Sequence, residues 1–309
     1  MIYDGHVHYT GALPEDYLKL MGYMDKYNYT DDCCKNIDAF FRQYQDIQKL
    51  TKPESNLSEH YKERVAGICA YMRKSHVFGF NLISGMDTDI DRLKSRILGT
   101  IAGFQATSYK AKITLCFIKE ANGRIKNLDG NILAKLDAWL AVTLDVIPYI
   151  HGFDICGYET VKTESIQDTC DLIKDLTFFR NKYGFLLSSH AGELFVLYDP
   201  ADILQMFEKL LPLHLDSIGH GTFLWIPDEF LNISPDINKL RKRLLQEFIK
   251  RHTLFEICPT GNALLSPLKC PENISRQYLK KLGLRYSINS DNPTIFKTHA
   301  RREAGLLSP

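Results

Sequence analysis

The chain of 309 residues carries 38 Lys and Arg against 37 Asp and Glu, so its charges nearly cancel. This balance excludes the broad basic surface with which proteins bind a nucleic-acid polymer. Hydrophobic residues make up 45% of the chain and charged residues 24%, a composition that supports a packed core and excludes a disordered protein.

Short apolar runs bounded by turn residues predict eight strands. In chain order they are Ile2 to His6, Val77 to Ser84, Ala111 to Ile118, Gly152 to Cys156, Phe185 to His190, Ser217 to His220, Leu254 to Ile257 and Leu284 to Asn289. Segments with helical spacing lie between them, such as Leu133, Leu136, Leu140 and Leu144, or Ile203, Met206, Phe207 and Leu210. The alternation predicts a (β/α)8 TIM-type barrel in a single domain over residues 1–309, because this fold takes about 250 residues.

The interval between the first two predicted strands is about 70 residues long, far more than one crossover helix requires. Two amphipathic stripes predict helices there: Ile37, Phe40, Phe41, Tyr44 and Ile47 form the first, and Tyr61, Val65, Ile68, Cys69 and Met72 form the second. We therefore predict a helical insertion over residues 29–76, with a loop at Lys52 to Ser55. Since it follows the carboxyl end of a strand, it would lie over the barrel mouth, either as a lid or as an extra packing layer.

The two ends of the chain suggest further expectations. Met1 to Gly5 lacks the basic and apolar regions of an export signal, and no run reaches the roughly 18 apolar residues of a membrane span. We expect a cytoplasmic protein with no membrane partner, and its eight cysteines, without a CxxC pair, to be free thiols. Residues 292–309 leave room for one short helix after the eighth strand, which is a shortened C-terminus.

Polar side chains follow the predicted strands where each strand ends. His6 and His8 end the first, and because residues two apart on a strand share a side, both imidazoles can face the barrel axis. His190 ends the fifth strand, His220 the sixth, and Asp291 follows the eighth. Each fragment alone has an ordinary structural interpretation, such as a packed histidine or an Asx turn.

Taken together, these fragments predict an active site, because barrel enzymes build theirs at the carboxyl ends of different strands. Three histidines and one carboxylate form a nitrogen and oxygen set that suits zinc, with a further position open for water. Iron, manganese and nickel are alternative metals.

The chain resembles the adenosine deaminase-like branch of the metal-dependent amidohydrolases. The resemblance runs from His6 to Pro293 through an ordered set of motifs: HVHYTGALP, DICGYE, SSHAGE, IGHGT, EICPTGN and NSDNP. It implies one zinc ion per chain on four ligands, which are His6, His8, His190 and Asp291.

The resemblance also implies roles for the residues beside the metal. Glu193 would give a proton to the purine ring nitrogen next to the attacked carbon, and His220 would orient or deprotonate the attacking water. Asp291 would take part in catalysis as well as in binding the metal. Gly157 would contact another ring nitrogen through its backbone, and His8 would also face the substrate.

Three positions depart from the family's pattern. Thr10 stands where adenosine-directed members usually carry an acidic residue that holds the ribose, and its hydroxyl could suit a free base, a nucleotide or a modified sugar. Asn292 replaces a second aspartate, and its amide can donate to a purine without being protonated. Gly261 replaces a serine. Thr10 and Asn292 are still expected to contact the substrate.

The leading hypothesis is a zinc-dependent hydrolytic deaminase of a 6-aminopurine: adenosine, adenine or a related nucleoside or nucleotide. An amidohydrolase acting on a different heterocycle or amide is the second hypothesis, and a catalytically inactive purine-binding barrel is the third. The HxE and PCxxC halves of other zinc deaminases, HExxH, GxxxxGK[ST] and GxSxG are absent from the sequence. The oligomeric state stays open.

Overall fold

A computed structural model of the chain describes residues 2–20, 37–50, 57–120, 122–126, 128, 131–159 and 161–309. The predicted loop at Lys52 to Ser55 and residues 29–36 of the predicted insertion lie outside these ranges.

Nine strands lie within the described ranges. They are β1 (Ile2–His8), β2 (Val77–Gly85), β3 (Lys110–Lys119), β4 (Ile125–Lys126), β5 (Ile150–Gly157), β6 (Leu186–Ala191), β7 (Ser217–His220), β8 (Leu254–Ile257) and β9 (Tyr286–Ile288). All eight predicted strands are confirmed. The sequence pattern did not predict β4, an antiparallel partner of β3, because a strand of two residues has no periodicity to detect.

The strand order is β1-β2-β3-β5-β6-β7-β8-β9, with parallel pairing in β1–β2 and in each successive pair from β5 to β9. Beyond β9, Asp291 forms a parallel bridge with Val7 of β1. The predicted (β/α)8 barrel class is confirmed by this succession of parallel strands and intervening helices.

Twelve α-helices fall within the same described parts of the chain. They are α1 (Glu15–Leu20), α2 (Ile37–Leu50), α3 (Leu57–Lys74), α4 (Ile90–Ala106), α5 (Ile132–Val142), α6 (Thr163–Tyr183), α7 (Pro200–Leu210), α8 (Thr222–Trp225), α9 (Pro235–Lys250), α10 (Pro259–Leu264), α11 (Arg276–Leu282) and α12 (Ala300–Leu306). The two insertion helices and the short helix near the end are confirmed as α2, α3 and α12. None of these helices has the length and apolar character needed to span a membrane.

One predicted helical residue is placed differently. Leu136 and Leu140 are buried on α5 as expected, but Leu144 lies past the end of the helix and is 65% exposed. The Thr143 N–H bonds back to the Leu140 carbonyl in a tighter turn, which ends the helix before Leu144. The prediction that Leu144 extends the apolar stripe was therefore wrong.

The chain divides into two compact units. Unit 1 comprises Met1–Thr114, Asp129–His151 and Asn289–Gly305, and unit 2 comprises Leu115–Leu128, Gly152–Ile288 and Leu306–Pro309. In unit 2, Phe153 packs edge-on against Phe179 and Phe185, with ring centroids 5.1 and 5.9 Å apart. These aromatic contacts anchor α6 against β5.

The insertion helices pack within unit 1. Phe40 of α2 stacks on Phe296 with ring centroids 5.4 Å apart, and Tyr61 of α3 lies 5.2 Å from Tyr9, which follows β1. Both contacts reach segments that continue strands from their carboxyl ends. The lid role of the insertion stays a prediction.

Helices α3 and α4 approach each other closely at a glycine. A Cβ added to Gly99 would lie 2.2 Å from the Ser58 carbonyl oxygen, so no side chain fits there without moving α3. At Gly305 on α12, no heavy atom lies within 4 Å of an added Cβ.

We predict that Gly99→Ala lowers the free energy of unfolding by about 1–3 kcal/mol, because the added methyl group forces the two helices apart. Gly305→Ala is the matched control, and it should leave stability unchanged or raise it by up to about 1 kcal/mol. Urea unfolding of both variants checks this, and equal effects would contradict the packing argument.

Candidate active site

Two of the predicted site residues have an unusual backbone. Asp291 has φ +60° and His220 has φ +62°, both in the left-handed region. A residue other than glycine held there costs about 1–3 kcal/mol, and such residues cluster at functional sites. The local structure around each one must therefore hold it in place.

In unit 1, the segment before Asp291 is fastened to β1 by buried hydrogen bonds. Ser290 donates from its backbone N–H to Asp4 Oδ1 at 3.1 Å and from its hydroxyl to Asp4 Oδ2 at 2.6 Å. The Gly5 N–H donates to Asn289 Oδ1 at 2.8 Å. Burial raises the pKa of Asp4 to about 7, and the two donors of Ser290 oppose that rise.

Backbone hydrogen bonds then set Asp291 against the two histidines of β1. The Asp291 N–H donates to the His6 carbonyl at 2.9 Å, and the His8 N–H donates to the Asp291 carbonyl at 2.8 Å. Because His6 and His8 flank Val7, which bridges to Asp291, both imidazoles lie beside the same carboxylate.

The side chains of these three residues form a compact donor set. His8 Nε2 lies 3.4 Å and His6 Nε2 4.0 Å from Asp291 Oδ1, and all three residues are buried. Two ligands bound tetrahedrally at about 2.0–2.2 Å lie about 3.3–3.6 Å apart. The spacing of His8 and Asp291 therefore fits a shared zinc-sized ion, and His6 needs only a small shift to join them.

Asn292 is committed in part to Asp291. Its Nδ2 donates to Asp291 Oδ1 at 2.6 Å, and its side chain packs against Gly11, where an added Cβ would lie 2.0 Å from Asn292 Oδ1. One of the two amide N–H groups is thereby used, and the second would be the donor in the predicted purine contact. That contact stays a prediction, as does that of Thr10, which begins a short 3₁₀ turn and is partly exposed.

In unit 2, a buried carboxylate supports His190 at the end of β6. Asp154 Oδ2 lies 2.8 Å from His190 Nδ1, and the Ser188 hydroxyl donates to Asp154 Oδ1 at 3.0 Å. A carboxylate on one imidazole nitrogen fixes the ring and directs the other nitrogen toward a metal. Asp154 lies within the DICGYE motif, but the sequence by itself indicated no role for it.

The tautomer of His220 follows from the orientation of Asn262. The Cys258 N–H donates to Asn262 Oδ1 at 2.8 Å, so the amide nitrogen is the atom that faces His220 Nδ1 at 2.9 Å. An amide nitrogen can only donate, so His220 Nδ1 accepts and the ring proton lies on Nε2. In this tautomer Nε2 cannot take up a second proton, which favours an orienting role over a basic one.

Glu193 lies beside His220 in a turn held by a second carboxylate. Glu193 Oε1 is 3.5 Å from His220 Nε2. The Glu193 N–H donates to Glu159 Oε1 at 2.6 Å. Burial raises the pKa of Glu159, while the buried Lys119 ammonium opposes that rise. The Glu159 carboxyl group therefore holds the backbone of the turn that carries Glu193.

Gly157 ends β5 in a conformation that excludes side chains. Its φ is +96°, and an added Cβ would lie 2.5 Å from the Lys119 carbonyl oxygen. A backbone contact from this position to a ligand is therefore sterically reasonable, and it stays a prediction.

Three residues that support the site had no assigned role in the sequence analysis: Asp154, Glu159 and Asn262. All three lie in motifs at the carboxyl ends of strands, so a buried polar residue there was the available signal. The site residues that they contact are 34 or more positions away in the chain, and only the folded structure identifies them.

The profile of the adenosine deaminase family matches residues 12–307. The chain belongs to the adenosine deaminase family. The family match covers every strand except β1, and it confirms the resemblance drawn from the motifs.

Curated relatives in this family are similar over part of their length. Adenosine deaminase of Plasmodium vivax is 24% identical over 261 residues, which is 84% of this chain and 61% of that protein. Adenine deaminase of Rhizobium leguminosarum is 27% identical over 162 residues, or 52% of this chain and 42% of that protein. The match spans less than two thirds of either relative.

Solved structures in the family share the fold. The Arabidopsis ADAL protein complexed with IMP has a TM-score of 0.69 at 14% identity, covering 99% of this chain and 84% of that one. Adenine deaminase from Arthrobacter aurescens has a TM-score of 0.66 at 14% identity, covering 98% and 86%. These similarities confirm the barrel.

We predict that Asn262→Asp moves the proton of His220 from Nε2 to Nδ1, because a carboxylate accepts where the amide donated. Nitrogen chemical shifts of labelled His220 report which ring nitrogen carries the proton. Asn181→Asp on the exposed face of α6 is the control and should leave the His220 signals unchanged. Unchanged signals in Asn262→Asp would refute the assigned tautomer.

Proposed function

We propose that this member of the family is a zinc-dependent hydrolase that removes the amino group of a 6-aminopurine and releases ammonia. The observation that carries the proposal is the pairing of Glu193 with His220, 3.5 Å apart, with the tautomer of His220 fixed by Asn262. A carboxyl group and an N–H donor side by side are the two groups that such a hydrolysis requires beside an activated water.

Four residues would hold the zinc ion, as the sequence motifs imply: His6, His8, His190 and Asp291. Three nitrogens and one carboxylate oxygen suit zinc, and the spacing of His8 from Asp291 and the Asp154 support of His190 fit that role. The ion would supply an activated water at neutral pH by lowering the pKa of that water to about 7.

The protein groups then divide the proton transfers. His220 donates a hydrogen bond from Nε2 and so orients the attacking water toward the ring carbon that carries the amino group. Glu193 delivers a proton to the adjacent ring nitrogen, which makes that carbon more electrophilic. Glu159 holds the backbone of Glu193, so it acts by positioning and does not touch the substrate.

Thr10 and the nucleotide-binding relatives both bear on which purine is the substrate. A hydroxyl at Thr10 lacks the charge that a ribose-binding carboxylate would supply. Among structural relatives, Arabidopsis ADAL is complexed with IMP and Arabidopsis MAPDA is an N6-mAMP deaminase. These observations favour a purine base or a purine nucleotide over adenosine. Hydrolysis of a different heterocycle is the second candidate, since Asn292 also departs from the family.

The test is ammonia release from zinc-loaded protein with adenine, adenosine, AMP, N6-methyl-AMP and pterins. We expect turnover of at least one 6-aminopurine, and Glu193→Gln should lower kcat about 10²- to 10⁴-fold while the zinc content stays the same. Glu208→Gln on α7 is the matched control and should retain full activity. If the zinc-bound wild-type protein releases no ammonia from any of these purines, the proposal is refuted.

We also predict that Asp154→Asn lowers zinc affinity about 10- to 100-fold, because the amide no longer fixes and polarises His190 as the carboxylate does. Competition with a fluorescent zinc chelator measures the affinity without any activity assay. The exposed Asp171→Asn is the control. Equal zinc affinities in both variants would show that His190 is not a ligand supported by Asp154.

A further inference from the structure

Two cysteines face each other in unit 2 on strands that are neighbours in the sheet order. Cys116 lies on β3 and Cys156 on β5, and their sulfur atoms are 2.8 Å apart. A disulfide bond has a length of about 2.05 Å, so a shift of less than about 1 Å would join them. Nothing in the proposed mechanism uses either thiol.

The two thiols differ in access to solvent. Cys116 is 1% exposed, whereas Cys156 is partly exposed near the carboxyl end of β5. Pairs in which an accessible thiol is oxidised first and a neighbouring thiol resolves it are a recurrent redox arrangement. The geometry therefore distinguishes an entry sulfur from a resolving sulfur.

A metal site is the other chemistry open to this cluster, since Asp154 lies with both cysteines. Two thiolates bound tetrahedrally to one ion at about 2.3 Å lie about 3.8 Å apart. The 2.8 Å separation of the two sulfur atoms is shorter than that. The geometry therefore favours covalent pairing of Cys116 with Cys156 over a shared metal ion.

We propose that Cys116 and Cys156 form a peroxide-sensitive dithiol that closes to an intrachain disulfide. Hydrogen peroxide oxidises the Cys156 thiol to a sulfenic acid and is itself reduced to water. The Cys116 sulfur then attacks the Cys156 sulfur, the S–S bond forms and the S–O bond breaks, and the hydroxyl leaves with the Cys116 proton as a second water. Two thiols and one peroxide thus give one disulfide and two waters.

The disulfide would act on the support of a proposed metal ligand. Cys116 Sγ lies 3.4 Å from Asp154 Oδ2, the same oxygen that contacts His190 Nδ1. Oxidation removes the S–H donor from that oxygen and shifts β3 toward β5 directly before Gly157. This consequence rests on the proposed function, whereas formation of the disulfide does not.

The first experiment maps the disulfide in the full chain without an activity assay. Reduced, zinc-loaded protein is treated with graded peroxide, alkylated, digested with trypsin and analysed by mass spectrometry without reduction. We expect a linked species that joins Ile113–Lys119 to Leu136–Lys162, with a mass two hydrogens below the sum of the peptides.

Three variants make this result specific. Cys156→Ser should abolish the linked species, and Cys116→Ser should leave a Cys156 sulfenic acid that dimedone traps. Cys270→Ser, at another partly exposed cysteine, is the matched control and should leave the link intact. Overoxidation of Cys156 without a link, a link to another cysteine, or protection of both thiols by a second bound zinc ion would each overturn the proposal.

The second experiment follows the consequence. After peroxide, zinc affinity should fall about 10-fold, with a matching loss of ammonia release, and dithiothreitol should restore both. Cys156→Ser should lose this sensitivity to peroxide. A mapped disulfide with unchanged zinc affinity would refute the coupling to His190. If the reduced protein deaminates none of the purines, the proposed function fails while the peptide map still decides the disulfide.

Discussion

A carboxylate buried in protein is expensive unless hydrogen-bond donors or a cation surround it, and this constraint organises the candidate site. Each of three buried carboxyl groups contacts a residue of the candidate site or the residue directly before one. Asp4 accepts from Ser290 before Asp291, Asp154 contacts His190, and Glu159 accepts from the Glu193 backbone. Each of these contacts stabilises a buried carboxyl group and positions a residue of the candidate site at the same time.

Hydrogen bonds from neighbouring residues also hold His220 in place. The side-chain amide of Asn262 donates to His220 Nδ1 and so determines the tautomer of that ring. The backbone N–H of Cys258 in turn orients Asn262. The left-handed backbone of His220 and that of Asp291 are conformations that an unsupported chain would leave. The hydrogen bonds around them supply the free energy that keeps the strained residues in place.

The site and the dithiol share one residue, Asp154. Asp154 Oδ2 contacts His190 Nδ1 and the thiol of Cys116, and Oδ1 accepts a hydrogen bond from Ser188. A change at the sulfur therefore reaches the histidine through a single carboxylate, without a large movement of the fold. Thiol oxidation would therefore affect hydrolysis through the hydrogen bonds of Asp154. Neither reaction consumes a product of the other.

Much of this protein was determined by the sequence alone. Apolar runs bounded by turn residues located the eight barrel strands. Helical patterns located α2 and α3, because burial of one face imposes that period on an amphipathic helix. The order of the motifs identified the family and the residues proposed to bind the metal. Leu144 showed the limit of the pattern, since an apolar residue at the right spacing lies beyond a turn that ended α5.

Only the tertiary structure decided which side chains meet. Asn262 is 42 positions from His220, Glu159 is 34 from Glu193, and Cys116 is 40 from Cys156. Such contacts depend on the register between neighbouring strands and on the backbone of the turns after them. A shift of one residue in register turns a side chain to the opposite face of a sheet, so no local pattern in the chain can specify these partners.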